Sequence, residues 1–259
     1  MRFLRVGNEM WDMSKIPPGL GLYTLRNETK KDFFGTLKKV ADMGYKLVEF
    51  ALDYEGIPAA EMKKELERLG LKTVSTYVSP EDMENNLQNQ IDYAKTLGAH
   101  YMVTGFPKER FADESDFPAL VHSLKTMGKE VKRHGMLLLY HPHAHEFEKR
   151  NGKKIIDRLL EGVGRDLMQL ELDLYFVRKV GLDPKSALLA YSGMSPLIHV
   201  KDIDKNGDFT EVGYGIIDWP SIFRIMESVG VKFYFVEQDV SPHPLESAKK
   251  SLDYLKSIQ

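Results

Sequence analysis

The chain has 259 residues, with 36 Lys and Arg against 38 Asp and Glu, a formal net charge of −2 and no cysteine. This near-neutral balance argues against a nucleic-acid or anionic-membrane partner, and the lack of cysteine excludes disulfides, thiolate nucleophiles and cysteine–zinc sites. No apolar run nears the roughly 18 residues of a membrane span, and the opening MRFLRVGNEMWDMSK lacks the apolar core of a secretory signal, so a cytoplasmic protein is expected.

Strand-like and helix-like segments then alternate along the chain. Strands are predicted near 19–25 (GLGLYTL), 46–51 (KLVEFA), 72–78 (KTVSTYV), 99–105 (AHYMVTG), 136–142, 167–175, 196–202 and 232–238. Amphipathic helices are predicted near 30–43, 58–69, 81–97, 115–134, 153–162, 184–191, 218–228 and 244–257. Such alternation implies parallel strands with crossover helices. A glycine precedes strands 2, 3, 4, 5 and 8 in DMGYK, RLGLK, TLGAH, RHGML and SVGVK, a weak repeat in which Gly ends each helix. The length is close to the roughly 250 residues of a (β/α)8 TIM barrel. No Pro/Gly/Ser-rich linker divides the chain, so one α/β domain over residues 1–259 is expected; an open doubly wound sheet is the alternative.

Four consecutive predicted strands end in metal-ligand residue types: MLLLYHPHAHEF (136–147), LMQLELDLYF (167–176), PLIHVKDID (196–204) and VKFYFVEQD (231–239). The C-terminal ends of barrel strands are where such folds build active sites. Strand periodicity is two, so Gln169, Glu171, Asp173 and Tyr175 alternate with outward leucines. Asp173, nearest the strand end, is the natural ligand, the bland reading being a strand-end cap. His199 and Lys201 share a face, with Asp202 opposite; Lys201 either steadies an enolate or pairs with Asp202 or another carboxylate. Glu237 leaves the most apolar strand of the chain, and a buried acid there needs a partner. His141, His143 and His145 share a face if strand 5 stays extended. Glu146 points inward only if the chain turns after Pro142, so the fourth ligand is either His141 or Glu146. Carboxylates and imidazoles without thiolate suit a divalent ion, with Mn²⁺, Mg²⁺, Co²⁺ and Zn²⁺ all open.

With these segments in view, and with GLGLYTLR (19–26), ELDLYFVRKVGLDP (171–184) and EVGYGIIDWPSIF (211–223), the chain resembles the sugar phosphate isomerase/epimerase superfamily of xylose-isomerase-like TIM barrels. Within it the YHNH-x-x-EF branch is similar at YHPHAHEF, with Pro142 replacing Asn. The resemblance implies metal ligands Glu146, Asp173, His199 and Glu237, with Mn²⁺ the ion expected first. It also implies a sugar or inositol-like substrate, often in a 3-keto form.

The implied chemistry is proton abstraction next to a carbonyl through a metal-stabilised enediolate. His143 or Glu237 would be the base, with His141, His145 and Lys201 at substrate hydroxyls. Return of the proton makes an isomerase or epimerase, the class expected here; loss of a hydroxyl makes a dehydratase or lyase, the alternative. Tyr23, Phe50, Tyr175, Phe176, Tyr214 and Trp219 are candidates for packing against a sugar, though aromatics more often serve the core. Asn206-Gly207-Asp208 reads as a hairpin turn in a loop placed to cover the site. An endonuclease-IV-like phosphodiesterase would need more ligands and a basic face, and a non-catalytic barrel is the remaining reading. A small-molecule sugar is the expected partner, with a homo-oligomer allowed.

Overall fold

The computed structural model describes residues 3–6, 9–12, 16–51 and 54–258, with side chains from residue 16 onward. The opening segment, on which the expectation of no leader rests, lies outside them at residues 1–2, 7–8 and 13–15. Eight parallel strands close a barrel: β1 Gly19–Gly21, β2 Leu47–Ala51, β3 Ser75–Tyr77, β4 Tyr101–Thr104, β5 Leu137–Tyr140, β6 Met168–Asp173, β7 Leu197–Val200 and β8 Phe233–Val236. Each strand pairs with its sequence neighbour, and β8 pairs with β1. The (β/α)8 class therefore stands. No described helix is long and apolar enough to cross a membrane.

Local chemistry starts the helices where sequence suggests. Ser79 accepts a hydrogen bond from the Asp82 backbone N–H at 3.0 Å, and Asp218 accepts from that of Ser221 at 3.2 Å. Both are followed by proline in the first turn, the pattern of a capped helix start. Glycine caps the C-terminal ends of three helices of the repeated unit, at Gly44, Gly70 and Gly98, the last with a φ of 90° that disfavours any residue with a Cβ.

Several expected boundaries move. The strand expected over 19–25 stops at Gly21 and becomes a 3₁₀ turn, Leu22–Leu25. The helix expected over 81–97 breaks at Asn86 into Pro80–Asn85 and Leu87–Leu97. That expected over 218–228 is helical only across Trp219–Phe223. Strand 6 ends at Asp173, and a helix not foreseen, Leu174–Lys179, follows at once, so Tyr175 is helical. Another surprise is the antiparallel ribbon of Phe3–Val6 with Glu9–Asp12. The hairpin around Asn206–Asp208 forms as expected, its short strands Asp202–Ile203 and Phe209–Thr210 paired antiparallel.

Period-two alternation sorts the barrel strands. Leu47, Val74, Tyr101, Val103, Leu139, Leu197, Phe233 and Phe235 pack together as an apolar cluster. Leu170, Leu172, Ile198, Val200 and Tyr234 belong instead to the larger core shared with the helices. Two residues beyond Leu47, Leu139, Leu197 and Phe235 along their strands stand Glu49, His141, His199 and Glu237. The apolar layer thus ends in a polar one at the C-terminal mouth. Each fully buried large apolar side chain contributes roughly 1.5–3 kcal/mol, which holds that polar layer in place.

Candidate active site

Glu49, His141, Glu171, Asp173, His199, Lys201 and Glu237 are all buried, and most of them meet at ion-pair distance. His199 Nδ1 lies 3.1 Å from Glu237 Oε2 and 3.8 Å from Asp173 Oδ2. Its Nε2 lies 2.7 Å from Glu49 Oε2 and 3.3 Å from Glu171 Oε2. His141 Nδ1 is 3.2 Å from Glu171 Oε2, and His141 Nε2 is 3.7 Å from Asp173 Oδ2. Lys201 Nζ contacts Asp173 at 2.8 Å, Glu237 at 2.6 Å and Asp239 at 2.7 Å. The register that pairs Asp173 with His199, and His199 with Phe235, brings the ends of β6, β7 and β8 to one level.

Asp173 serves two purposes at once. Its Oδ1 accepts from the backbone N–H groups of Tyr175 and Phe176 at 2.8 and 3.3 Å, capping the helix that follows. Its Oδ2 faces Lys201 and the two imidazoles. The capping reading and the site reading are therefore both correct, one for each oxygen. Lys201 pairs with site carboxylates and not with Asp202. Asp202 turns to the opposite face and accepts from the backbone N–H groups of Ile203, Gly213, Gly215 and Ile217 and from Trp219 Nε1 at 2.7 Å.

The electrostatics follow from burial and neighbours. Burial, then the adjacent Glu49 carboxylate, pushes Glu171 well above the usual carboxylate range. Burial likewise disfavours charge on His141, with His199 and His143 adding to the effect, so its imidazole is held well below its ordinary value. Burial opposes charge on Lys201 too, but Asp173, Glu237 and Asp239 outweigh it and keep the ammonium protonated. His199 is raised in the same sense against burial by Glu171 and Glu237. Glu237 is held low against burial by Lys201 and His199.

The fit of this cluster to a divalent cation rests on unsatisfied atoms. Asp173 Oδ2 and His199 Nδ1 make no directed hydrogen bond despite their charged neighbours. His141, Asp173 and His199 each offer one ligand atom within 4.8 Å of the others. Buried polar atoms without directed partners are costly, and a cation would satisfy them together.

Glu49, His141, His199, Lys201 and Glu237 form part of the wall of a cavity of about 690 Å³, lined also by Tyr23, Tyr77, Gly105, Arg110, His143 and Phe176. Gly105 is needed for close approach: a Cβ there would lie 2.5 Å from the His141 carbonyl oxygen. At the rim Arg110 is engaged by Glu84 at 2.6 Å.

Other expected residues are placed elsewhere. After Tyr140 the chain leaves the strand and forms a 3₁₀ turn at His145–Phe147. That turn buries Glu146, which gathers with His143 and His145. Tyr140 donates to Glu146 Oε1 at 2.6 Å, and the His143 backbone N–H donates to Oε2 at 2.9 Å. Burial raises the Glu146 carboxyl, but the two histidines outweigh it and hold it at about 2. Trp219 and Tyr175 correct the expectation of sugar-packing aromatics. Trp219 is fully buried on Asp202, and Tyr175 stacks on Phe209 while its hydroxyl donates to the Gly207 carbonyl. Neither lines the cavity. Phe50 is a core residue and Tyr214 is exposed, whereas Tyr23 and Phe176 do face the cavity. No residue of 203–217 lines it, though the Phe209 ring of that loop lies 5.9 Å from Lys201 Nζ.

Glu49 went unrecognised in the sequence, although a lone charge inside LVEFA (47–51) was a usable signal. Glu171, on the Asp173 face of its strand, joins the cluster through His141 and His199.

Residues 37–258 match the model of the xylose isomerase-like TIM barrel family. The chain belongs to that family. It is 25% identical to an inosose dehydratase of Mesomycoplasma hyopneumoniae, the match spanning 97% of this chain and 99% of that one. A sugar phosphate isomerase/epimerase from Parabacteroides distasonis superposes with a TM-score of 0.81 at 24% identity, covering 93% of this chain and 96% of its own. A xylose isomerase-like barrel from Mycobacterium smegmatis in complex with magnesium gives 0.71 at 16% identity over 96% and 98%. The chain is thus an enzyme of the xylose isomerase-like superfamily.

Proposed function

We propose that this is a divalent-metal-dependent dehydratase acting on an inosose or a related keto-polyol by removing the proton next to the carbonyl and then expelling a hydroxyl. The observation that carries the reading is the convergence of Asp173, His199 and Glu237 beside His141 and the protonated Lys201, all but Asp173 lining one cavity. The near full-length similarity to a protein named inosose dehydratase favours elimination over epimerisation.

In this reading Asp173, His199 and Glu237 hold the ion, with Mn²⁺ the leading candidate and Mg²⁺ close behind. The ion would polarise the carbonyl and adjacent hydroxyl. His141 is the base: burial keeps it neutral, and Glu171, 3.2 Å from its Nδ1, fixes the orientation of the ring. His141 takes this role in preference to His143, whose Nδ1 faces Glu146. Lys201 stays charged and steadies negative charge that develops on substrate oxygen. Tyr23 and Phe176 offer apolar faces to the ring.

The epimerase reading is the second, supported by the superposition on a sugar phosphate isomerase/epimerase. The test is incubation of Mn²⁺-loaded protein with an inosose and a panel of keto-sugars in D₂O. Product one water lighter supports the dehydratase. Deuterium at the carbon next to the carbonyl without mass loss supports the epimerase. No exchange and no product with any substrate would remove both.

A further inference from the structure

The HPHAHEF segment (141–147) builds a second polar cluster that the proposed reaction does not use. His143, His145 and Glu146 each present one ligand atom within 4.8 Å of the others. The two imidazoles stack at 5.7 Å with planes 6° apart. Both converge on one oxygen, with His145 Nε2 3.2 Å and His143 Nδ1 3.9 Å from Glu146 Oε1. Yet neither ring nitrogen makes a directed hydrogen bond, and both are shielded from solvent. An ordinary histidine–carboxylate pair would have at least one such bond. Two unsatisfied ring nitrogens around a buried carboxylate cost free energy unless something binds all three.

The carboxylate is already oriented for that purpose. Tyr140 holds Oε1 and the His143 backbone N–H holds Oε2, the kind of outer support that fixes ligand direction in metal sites. The 3₁₀ turn that places Glu146 inward also sets His143 at the cavity wall.

We infer that His143, His145 and Glu146 form a second divalent-cation site, separate from that of Asp173 and His199. Two imidazoles and one carboxylate suit a borderline ion such as Zn²⁺ or Co²⁺, whereas the carboxylate-rich central cluster suits Mn²⁺ or Mg²⁺. An ion here would lie beside the wall that meets the substrate.

The test is titration of the metal-free full chain with Co²⁺, counting bound ions by equilibrium dialysis and following the visible d–d bands. H145F keeps the ring volume against Phe111 (centroids 5.4 Å apart) and removes the nitrogens. H143F serves the same end should H145F fail to fold. Expected are two ions in the wild type, loss of one in H145F or H143F, and loss of the other in D173N. An ion count unchanged by both histidine substitutions overturns the inference. So does a single ion lost in D173N and H145F alike, which would gather Glu146 and Asp173 around one cation. An ion lost in H145F while D173N loses none upholds this site and fails the central one, so the two readings separate.

Discussion

Glu49 Oε2 lies 2.7 Å from His199 Nε2 across the barrel, from the second strand to the seventh. The bond leaves Nδ1 as the nitrogen turned toward Glu237 and Asp173. Ser75 in turn donates to Glu49 Oε1 at 2.5 Å, so the carboxylate is fixed at both oxygens. A carboxylate behind a ligating imidazole sets its tautomer and orientation.

Replacing Glu49 should therefore weaken ion binding without removing a ligand. Glu49→Gln is expected to loosen Mn²⁺ by roughly 10- to 100-fold in isothermal titration calorimetry. An unchanged dissociation constant would show that His199 needs no such support.

Lys201 gives a stability prediction. Its ammonium is buried against Asp173, Glu237 and Asp239. Lys201→Met leaves those carboxylates facing one another, and breaking a buried ion cluster costs about 3–5 kcal/mol. Urea denaturation of the metal-free variant should show a loss of that order. Added Mn²⁺ should raise the melting temperature of the variant more than that of the wild type, because it replaces the missing positive charge. Equal metal-induced shifts would count against the shared cluster.

Asp202 should matter for the loop alone. Its carboxylate collects four backbone N–H groups and the Trp219 indole. Asp202→Ala strands those donors, each unsatisfied buried group costing about 1–3 kcal/mol, so a loss of several kcal/mol is expected by chemical denaturation. Metal affinity, read on the folded variant, should stay within about 3-fold, since residues 203–217 do not line the cavity. A large fall in affinity would show that the loop reaches the site.

The rim pair of Arg110 and Glu84 carries a pH signature. The hydrogen bond from Arg110 holds the Glu84 carboxyl below its ordinary value, against a smaller opposing effect of burial. A depressed carboxyl adds stability at pH above its unfolded value, and that stability is lost as pH falls through the folded one. The pair is partly exposed, with 40% and 28% side-chain accessibility, which limits its worth to roughly 1 kcal/mol or less. Glu84→Gln should thus be slightly less stable than wild type at neutral pH, with the two converging in acid below the carboxylate range. Urea midpoints that differ more in acid than at neutrality would refute the sign.

The sequence by itself determined the barrel and most of its mouth. Alternating β and α patterns over the whole length admit few closed arrangements, and strand-end Asp173, His199 and Glu237 follow from period-two alternation beside apolar layers. What only the tertiary structure decided was pairing across strands and the course of the chain beyond them. Periodicity assigns a residue to a face, but barrel closure selects its partner, as it brings Glu49 to His199 over 150 positions. The same limit hid the choice of Lys201 for site carboxylates over Asp202. After Tyr140 the strand rule no longer applies, and a single 3₁₀ turn buries Glu146 and joins it to His143 and His145. Trp219 reads as a rim aromatic in one dimension, yet closing the loop onto Asp202 needs its indole N–H inside.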